Sequence, residues 1–247
     1  MKLKIVKEKE KVTNDWSIER VANEYTPYNW EAVFESAKNE LKDISDILEE
    51  DRPNGRRLPN NCDLFRIFHM VPLHKVRVVV LGQDPYFSVL ADGTPQATGM
   101  AFSVPRNAPI PSSLKNIYKE LKNTVAGFVM PNHGDLTCWA LHQGIFLLNT
   151  CLTVRQGEAG SHKQLFDGFI KKVITAILDK NPKTIFVLWG KQAENTIKKM
   201  VGSRATTLVA AHPSGLSCKN FFGCNHFNLV NEQLIKQGDI PIDWNVY

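Results

Sequence analysis

Four short apolar runs, at 76–81, 145–148, 184–189 and 206–211, punctuate the chain. They are too short for stable helices and lack alternating polar positions, so they predict strands covered on both faces. Between them the apolar residues fall into steps of three and four. Trp30, Val33, Phe34, Ala37, Leu41, Ile44, Ile47 and Leu48 form one stripe, predicting a helix that packs on the sheet. Leu114, Ile117, Tyr118 and Leu121 form a second stripe, and Leu165, Phe166, Phe169, Ile170, Val173, Ile174, Ile177 and Leu178 a longer third. A further helix is expected after Gly190 and another over 226–237, with Gly238 as its stop. Residues 51–61, with two prolines and a glycine, read as a loop, followed by a short helix near 64–70. Strands alternating with helices imply an α/β fold, a three-layer α/β/α sandwich around a central, mostly parallel four-stranded sheet. No repeat or linker interrupts 21–247, which reads as one domain. Residues 1–20, opening on a Lys/Glu-rich run, read as a flexible, solvated tail.

The loops after three of these strands carry the polar chemistry. Gly82-Gln83-Asp84-Pro85-Tyr86 follows the first, Asn149-Thr150 ends the second, and His212-Pro213-Ser214-Gly215-Leu216-Ser217 follows the fourth. Active sites of open α/β sheets lie beyond the carboxyl ends of the strands, so the three loops are expected to make one site. Taken singly, each has a plainer reading: Asp before Pro is an Asx-turn residue, Asn at a strand end is a turn residue, and a lone His is a hydrogen-bonded structural group.

Together with Gly99-Met100-Ala101-Phe102-Ser103-Val104, Pro111-Ser112-Ser113-Leu114, Asn116-Ile117-Tyr118-Lys119-Glu120-Leu121, Leu152-Thr153-Val154-Arg155, Ser161-His162-Lys163, Leu188-Trp189-Gly190, Phe221-Phe222-Gly223-Cys224 and Pro241-Ile242-Asp243-Trp244, these motifs resemble, in order, the family-one uracil-DNA glycosylases. The similarity runs from about Trp30 to Trp244. It implies a monofunctional hydrolase that flips uracil out of DNA, cleaves its N-glycosidic bond without metal or cofactor, and leaves an abasic site for base-excision repair.

By the same resemblance, Asp84 orients the attacking water and stabilises the oxocarbenium-like sugar, with Gln83 in the same water-activating loop. His212, as a neutral imidazole, donates to uracil O2 where negative charge builds. Asn149 pairs with uracil N3–H and O4 and meets cytosine with mismatched polarity. Tyr86 blocks a thymine methyl, and Phe102 stacks on the base. Pro111, Ser113, Ser203, Ser214 and Ser217 are expected to grip phosphates, and Leu216 to fill the space left by the extruded base. His69, His74, His133, His142, His162 and His226 read as surface or structural groups.

The chain also departs from the family pattern. Phe87 stands where the family has His, 88–98 is about five residues longer, Gly215 stands where the family has Pro, and Ile110 and Ser112 interrupt a proline-rich loop. These changes put the phosphate contacts in doubt. Gly215→Pro is expected to order the loop and strengthen binding or turnover, and Phe87→His to be tolerated.

At 247 residues, 43% hydrophobic and 22% charged, the composition is ordinary for one globular domain. A net charge of +5 favours a polyanionic partner without proving one. The five cysteines form an odd set with no Cys-x-x-Cys pair, so neither a disulfide framework nor a zinc ribbon is supported; Cys218, Cys224 and His226 invite only a weak metal reading. No run of about 18 apolar residues and no signal peptide is seen, so a soluble intracellular protein, cytoplasmic or nuclear, is expected. The expected partner is uracil-containing single- or double-stranded DNA, met by a monomer, while protein inhibitors or replication partners are not readable. A glycosylase-fold DNA-binding protein with weakened catalysis is the alternative, opposed by Asp84, Asn149 and His212. A broader glycosylase is opposed by Tyr86, and a flavodoxin-like nucleotide binder by the lack of a Gly-x-Gly-x-x-Gly loop.

Overall fold

The computed structural model describes residues 11–202 and 204–247, apart from the side chains of Lys199, Val201 and Leu216. The chain enters through α1 (Ile18–Glu24), α2 (Glu31–Ser36) and α3 (Lys38–Asp51), then a two-residue strand β1 (Arg57–Leu58) and α4 (Arg66–Met70). The alternating part follows: β2 (Val78–Gly82), α5 (Ser112–Thr124), α6 (Thr137–Gln143), β3 (Ile145–Asn149), the short β4 (Val154–Arg155), α7 (Asp167–Lys180), β5 (Ile185–Trp189), α8 (Lys191–Val201), β6 (Thr206–Ala210) and α9 (His226–Lys236).

The central sheet has the order β3-β2-β5-β6, and every pairing in it is parallel. From β2 the chain first steps outward to β3, then crosses back to β5 on the other side of β2. That reversal opens a crevice beyond the carboxyl end of β2, the usual place for a site in such sheets. β2, β3 and β5 are buried along their whole lengths, as their unbroken apolar runs predict. The fourth differs from expectation: β6 is a half-exposed edge, and Val209 is 38% exposed. β1 and β4 form a separate antiparallel pair within what reads in sequence as loop; two residues are too few to show a period.

Two further expectations need correction. The single helix expected from Trp30 to Leu48 is two helices, broken at Ala37 with φ −101° and ψ 11°. The Ser36 carbonyl, released by the break, accepts from Lys172 of α7. Trp30 and Phe34 thus enter an aromatic cluster with Phe65, Phe68, Phe146 and Phe169, whereas Leu41, Ile44 and Leu48 of α3 are buried away from the sheet, among neighbours on α1 and α7. Ile47, assigned to the stripe, is 50% exposed. The tail expected through residue 20 also ends too late. Trp16 is buried, Arg20 lies over its ring at 3.8 Å, and the Ser17 hydroxyl caps α1 by accepting the Arg20 N–H. Residues 1–10 lie outside the described part.

No helix among the described residues is long and apolar enough to cross a membrane.

Candidate active site

The first two site loops are fixed by strand register. Gly82 and Asn149 end β2 and β3 side by side. Beyond them the Thr150 N–H donates to the Gly82 carbonyl at 3.1 Å, and the Cys151 N–H and Thr150 hydroxyl donate to that of Gln83 at 2.9 and 3.0 Å. Residue 82 must be glycine for a local reason. A Cβ there would lie 2.1 Å from Asn149 Oδ1 and 2.9 Å from the Ala101 Cβ. The missing side chain is the room in which the Asn149 amide sits.

Asp84, Gln83, Tyr86, Phe102, Asn149 and His212 all line one cleft of about 270 Å³. Six residues expected from sequence to handle one base therefore converge, although they are spread from Gln83 to His212 along the chain. Pro111 and Ser214 line the same cleft. The Asn149 amide makes no hydrogen bond to protein among the described residues, which leaves its donor and acceptor for a ligand. Phe102 holds a left-handed backbone, φ 64°, between the Ala101 N–H bound to Leu147 O and the Val104 N–H bound to Gly134 O. A non-glycine residue in that region is strained and is kept only where its surroundings dictate it. The strain aims its ring between Trp189, 5.4 Å away, and His212, 6.1 Å away.

His212 is set in one tautomer by its own loop. The Ser214 N–H donates to Nδ1 at 3.1 Å, so Nδ1 is an acceptor and the neutral ring carries its proton on Nε2. Burial pushes the imidazole below its ordinary pKa, while the charge of Asp84 pulls the other way. The Asp84 carboxylate accepts one protein hydrogen bond among the described residues, from the Gly160 N–H to Oδ2 at 2.8 Å. Gln83 and Asp84 also border a polar cavity of about 730 Å³ that reaches Lys163 and Asn195.

Tyr86 is held by its phenol, 3.0 Å from the Ser113 hydroxyl, and burial raises it to about 12, so it stays neutral. Ser113, expected to grip a phosphate, has a buried hydroxyl that meets Tyr86. The serines of the third loop make contacts within it. The Ser214 hydroxyl lies 2.7 Å from His212 Nδ1, and that of Ser217 donates within the turn to His212 O or Ser214 O. Leu216 lies in the 3-10 turn Gly215–Asn220, and Ser203 lies outside the described residues.

Sequence reading missed the bracing role of α5. Ser113, Asn116 and Glu120 lie on one face of that helix. Ser113 meets Tyr86, the Asn116 amide donates to Pro213 O at 2.7 Å, and the buried Glu120 carboxylate accepts from the Gly223 and Asn225 N–H groups at 2.8 and 3.0 Å. The spacing of three and four was visible, but polar residues on a helix give no hint of their partners. The long segment after Phe87 is a hairpin, closed by Val89 opposite Pro95 and by Leu90 N–H to Thr94 O at 2.8 Å. Val89 packs on Leu58, Ala97 and Val154 in a small core of its own. The extra residues therefore fold outward, while Phe87 remains on the rim of the cleft with its carbonyl held by the Gly157 N–H.

Comparison with known proteins agrees with this geometry. A family model described as the uracil DNA glycosylase superfamily matches residues 68–235. Uracil-DNA glycosylases of Escherichia coli K12 and Shigella flexneri are each 43% identical over 229 residues, 91% of this chain and 96% of theirs. The crystal structure of mimivirus uracil-DNA glycosylase superposes with a TM-score of 0.81 at 29% identity, covering 88% of this chain and 86% of that one. A single-residue variant of the mimivirus enzyme, in complex with UGI, gives 0.82 at 30% identity over 89% and 88%.

Proposed function

The chain belongs to the uracil DNA glycosylase superfamily, and from that premise we propose how its own residues carry the reaction. It is a uracil-DNA glycosylase, a monofunctional hydrolase that cleaves the bond between uracil and deoxyribose in DNA and leaves an abasic site. The carrying observation is the convergence of Asp84, Asn149 and His212 on one cleft, with Tyr86 and Phe102 forming its apolar walls.

Uracil enters this cleft as an extruded base. Phe102 stacks on its face, and Asn149 accepts from N3–H and donates to O4. A thymine methyl meets the immobile Tyr86 ring, and cytosine presents the reverse donor pattern to Asn149. As the C1′–N1 bond breaks, its electron pair moves onto the base. The Nε2–H of His212 donates to O2, where that charge gathers; a donor fixed in advance stabilises charge without reorganising. On the sugar side Asp84 faces the developing positive charge and orients a water, with Gln83 beside it. The polar cavity bordered by both residues supplies that water. The water oxygen bonds to C1′ and passes its proton to the Asp84 carboxylate, uracil leaves as the anion held by His212, and that proton goes on through solvent to neutralise the released base.

DNA is held at the rim. The first amides of α5, uncapped by any side chain, offer N–H groups to a phosphate at Pro111–Ser112. Leu216, in the turn that follows His212, is the wedge for the space the base vacates. All of these residues belong to one chain, so a monomer suffices. No membrane contact is needed.

The test is release of free uracil from a uracil oligonucleotide in the presence of a chelator, beside matched thymine and cytosine oligonucleotides and the Asp84→Asn protein. Release from uracil alone, at a rate reduced at least about a hundredfold in the variant, is the expected result. Tight DNA binding with no release would favour a DNA-holding protein that has lost catalysis.

A further inference from the structure

We propose that Asp51, at the carboxyl end of α3, is a positioning residue: through Arg155 and His162 it closes the loop whose Gly160 amide holds the catalytic carboxylate. The inference rests on the assignment of Asp84 above.

Asp51 is remote from the cleft wall, yet three side chains converge on it. Arg155 Nη2 donates to its Oδ1 at 2.5 Å and Nε to its Oδ2 at 3.3 Å, His162 Nε2 lies 3.0 Å from Oδ2, and Asn54 donates to Oδ1 at 2.9 Å. Arg155 and His162 are the two ends of one loop, so a single carboxylate clamps both. The Arg155 N–H donates to the Ser161 hydroxyl at 2.7 Å and ties the ends again, and His162 Nδ1 meets the Thr153 hydroxyl at 2.9 Å. The Arg155 guanidinium holds Asp51 well below the ordinary carboxylate range, and the neutral His162, its pKa lowered by burial, donates to it.

Between the clamped ends the loop makes two contacts with the catalytic segment. The Gly157 N–H donates to Phe87 O and the Gly160 N–H to Asp84 Oδ2, both at 2.8 Å. Gly157 and Gly160 adopt left-handed φ values of 84° and 72°, where glycine has no steric preference for one shape. Besides its internal turns, Glu158 N–H to Arg155 O and Ser161 N–H to Glu158 O, and the Gln156 N–H tie to Arg56 O, the loop is shaped by its closed ends. No other protein group among the described residues hydrogen-bonds the Asp84 carboxylate. Its orientation therefore follows from where Asp51 holds the loop.

The experiment is a double-mutant cycle on uracil release from a single-stranded uracil oligonucleotide, with kcat and KM measured for the wild type, Asp51→Asn, Asp84→Asn and the double variant. Asp51→Asn should lower kcat about tenfold, short of the roughly hundredfold that a 1 Å misplacement can cost, with KM changed less than about twofold. In the Asp84→Asn background the same change should cost less than about twofold, since the group it orients is already gone. Losses that multiply in the double variant, or a change confined to KM, would overturn the proposal. Asp84→Asn at the wild-type rate would instead overturn the reading on which it rests. Should Asp51→Asn not fold, Ser161→Ala keeps both charges and loosens only the loop closure. It should lower kcat about threefold and show the same non-additivity with Asp84→Asn, and additive losses there would overturn the proposal equally.

Discussion

At the level of single residues, the cleft works through atoms that are missing or fixed as much as through reactive ones. Gly82 is the clearest case, because any Cβ would overlap Asn149 Oδ1, only 2.1 Å away. Gly82→Ala should therefore leave the sheet folded but displace the amide that reads uracil, lowering kcat/KM about a hundredfold in a steady-state assay with little change in melting temperature. His212 gives a second test. Its neutral, Nε2-protonated form is the competent donor, and burial lowers its pKa. The competent form thus predominates at and above the ordinary value of about 6.5 and gives way only at lower pH. The fall in the contribution of His212 to kcat on acidification should accordingly set in at lower pH than for an ordinary imidazole. Because the Asp84 charge raises the imidazole pKa, ring NMR of the Asp84→Asn protein should show His212 titrating at lower pH than in the wild type. A shift upward would contradict the geometry.

At the level of elements, the third site loop departs most from expectation. The sequence resemblance predicts that a proline in place of Gly215 orders the loop. The backbone argues the reverse. Gly215 adopts φ 59°, and a proline ring fixes φ near −65°. Proline could enter only by rebuilding the turn that follows, Gly215–Asn220, including the Ser217 hydrogen bonds back to His212 and Ser214. Gly215→Pro should then weaken duplex binding and slow uracil release several-fold, measured by anisotropy and single-turnover kinetics; tighter binding would show that this loop adopts another conformation on DNA. Strands buried on both faces were legible because burial leaves its mark on every residue, so β2, β3 and β5 appear as unbroken apolar runs. The edge strand β6 looked the same, since Thr206–Ala210 carries no charge to mark its open side. The break at Ala37 was invisible because three- and four-residue steps continue across it. Asp84, Asn149 and His212 could be named from their places after strands and the ordered motifs around them. The Gly160 amide could not, as a backbone N–H looks the same in every sequence.

Across the whole molecule, four histidines from separate regions share one arrangement that ties stability to pH. His133 Nδ1 accepts from the Asp135 N–H, His162 Nδ1 pairs with Thr153, His212 Nδ1 accepts from the Ser214 N–H, and His226 Nδ1 accepts from Trp189 Nε1. Burial lowers the pKa of all four, furthest for His226, to about 4. His226, the first residue of α9, is buried against the end of β5, and its partner Trp189 belongs to the ring cluster with Phe102, Phe221 and Phe227. Well above the unfolded pKa of about 6.5, folded and unfolded chains both hold this imidazole neutral, and its contribution to stability does not vary. As pH falls from there toward 4, the unfolded chain takes up a proton that the folded chain refuses, so stability declines by up to ~3 kcal/mol from this group alone. Protonation would also reverse Nδ1 from acceptor to donor against the Trp189 N–H. Urea unfolding at pH 7 and pH 4.5 should show this loss, and His226→Gln, whose side-chain carbonyl can still accept from Trp189, should reduce it while leaving the smaller slope due to the other three. An unchanged slope in that variant would assign the acid sensitivity elsewhere. Because Trp189 also packs against Phe102, the same acid step should loosen the base-stacking wall, so uracil affinity should fall with stability in the wild type and less steeply in the variant.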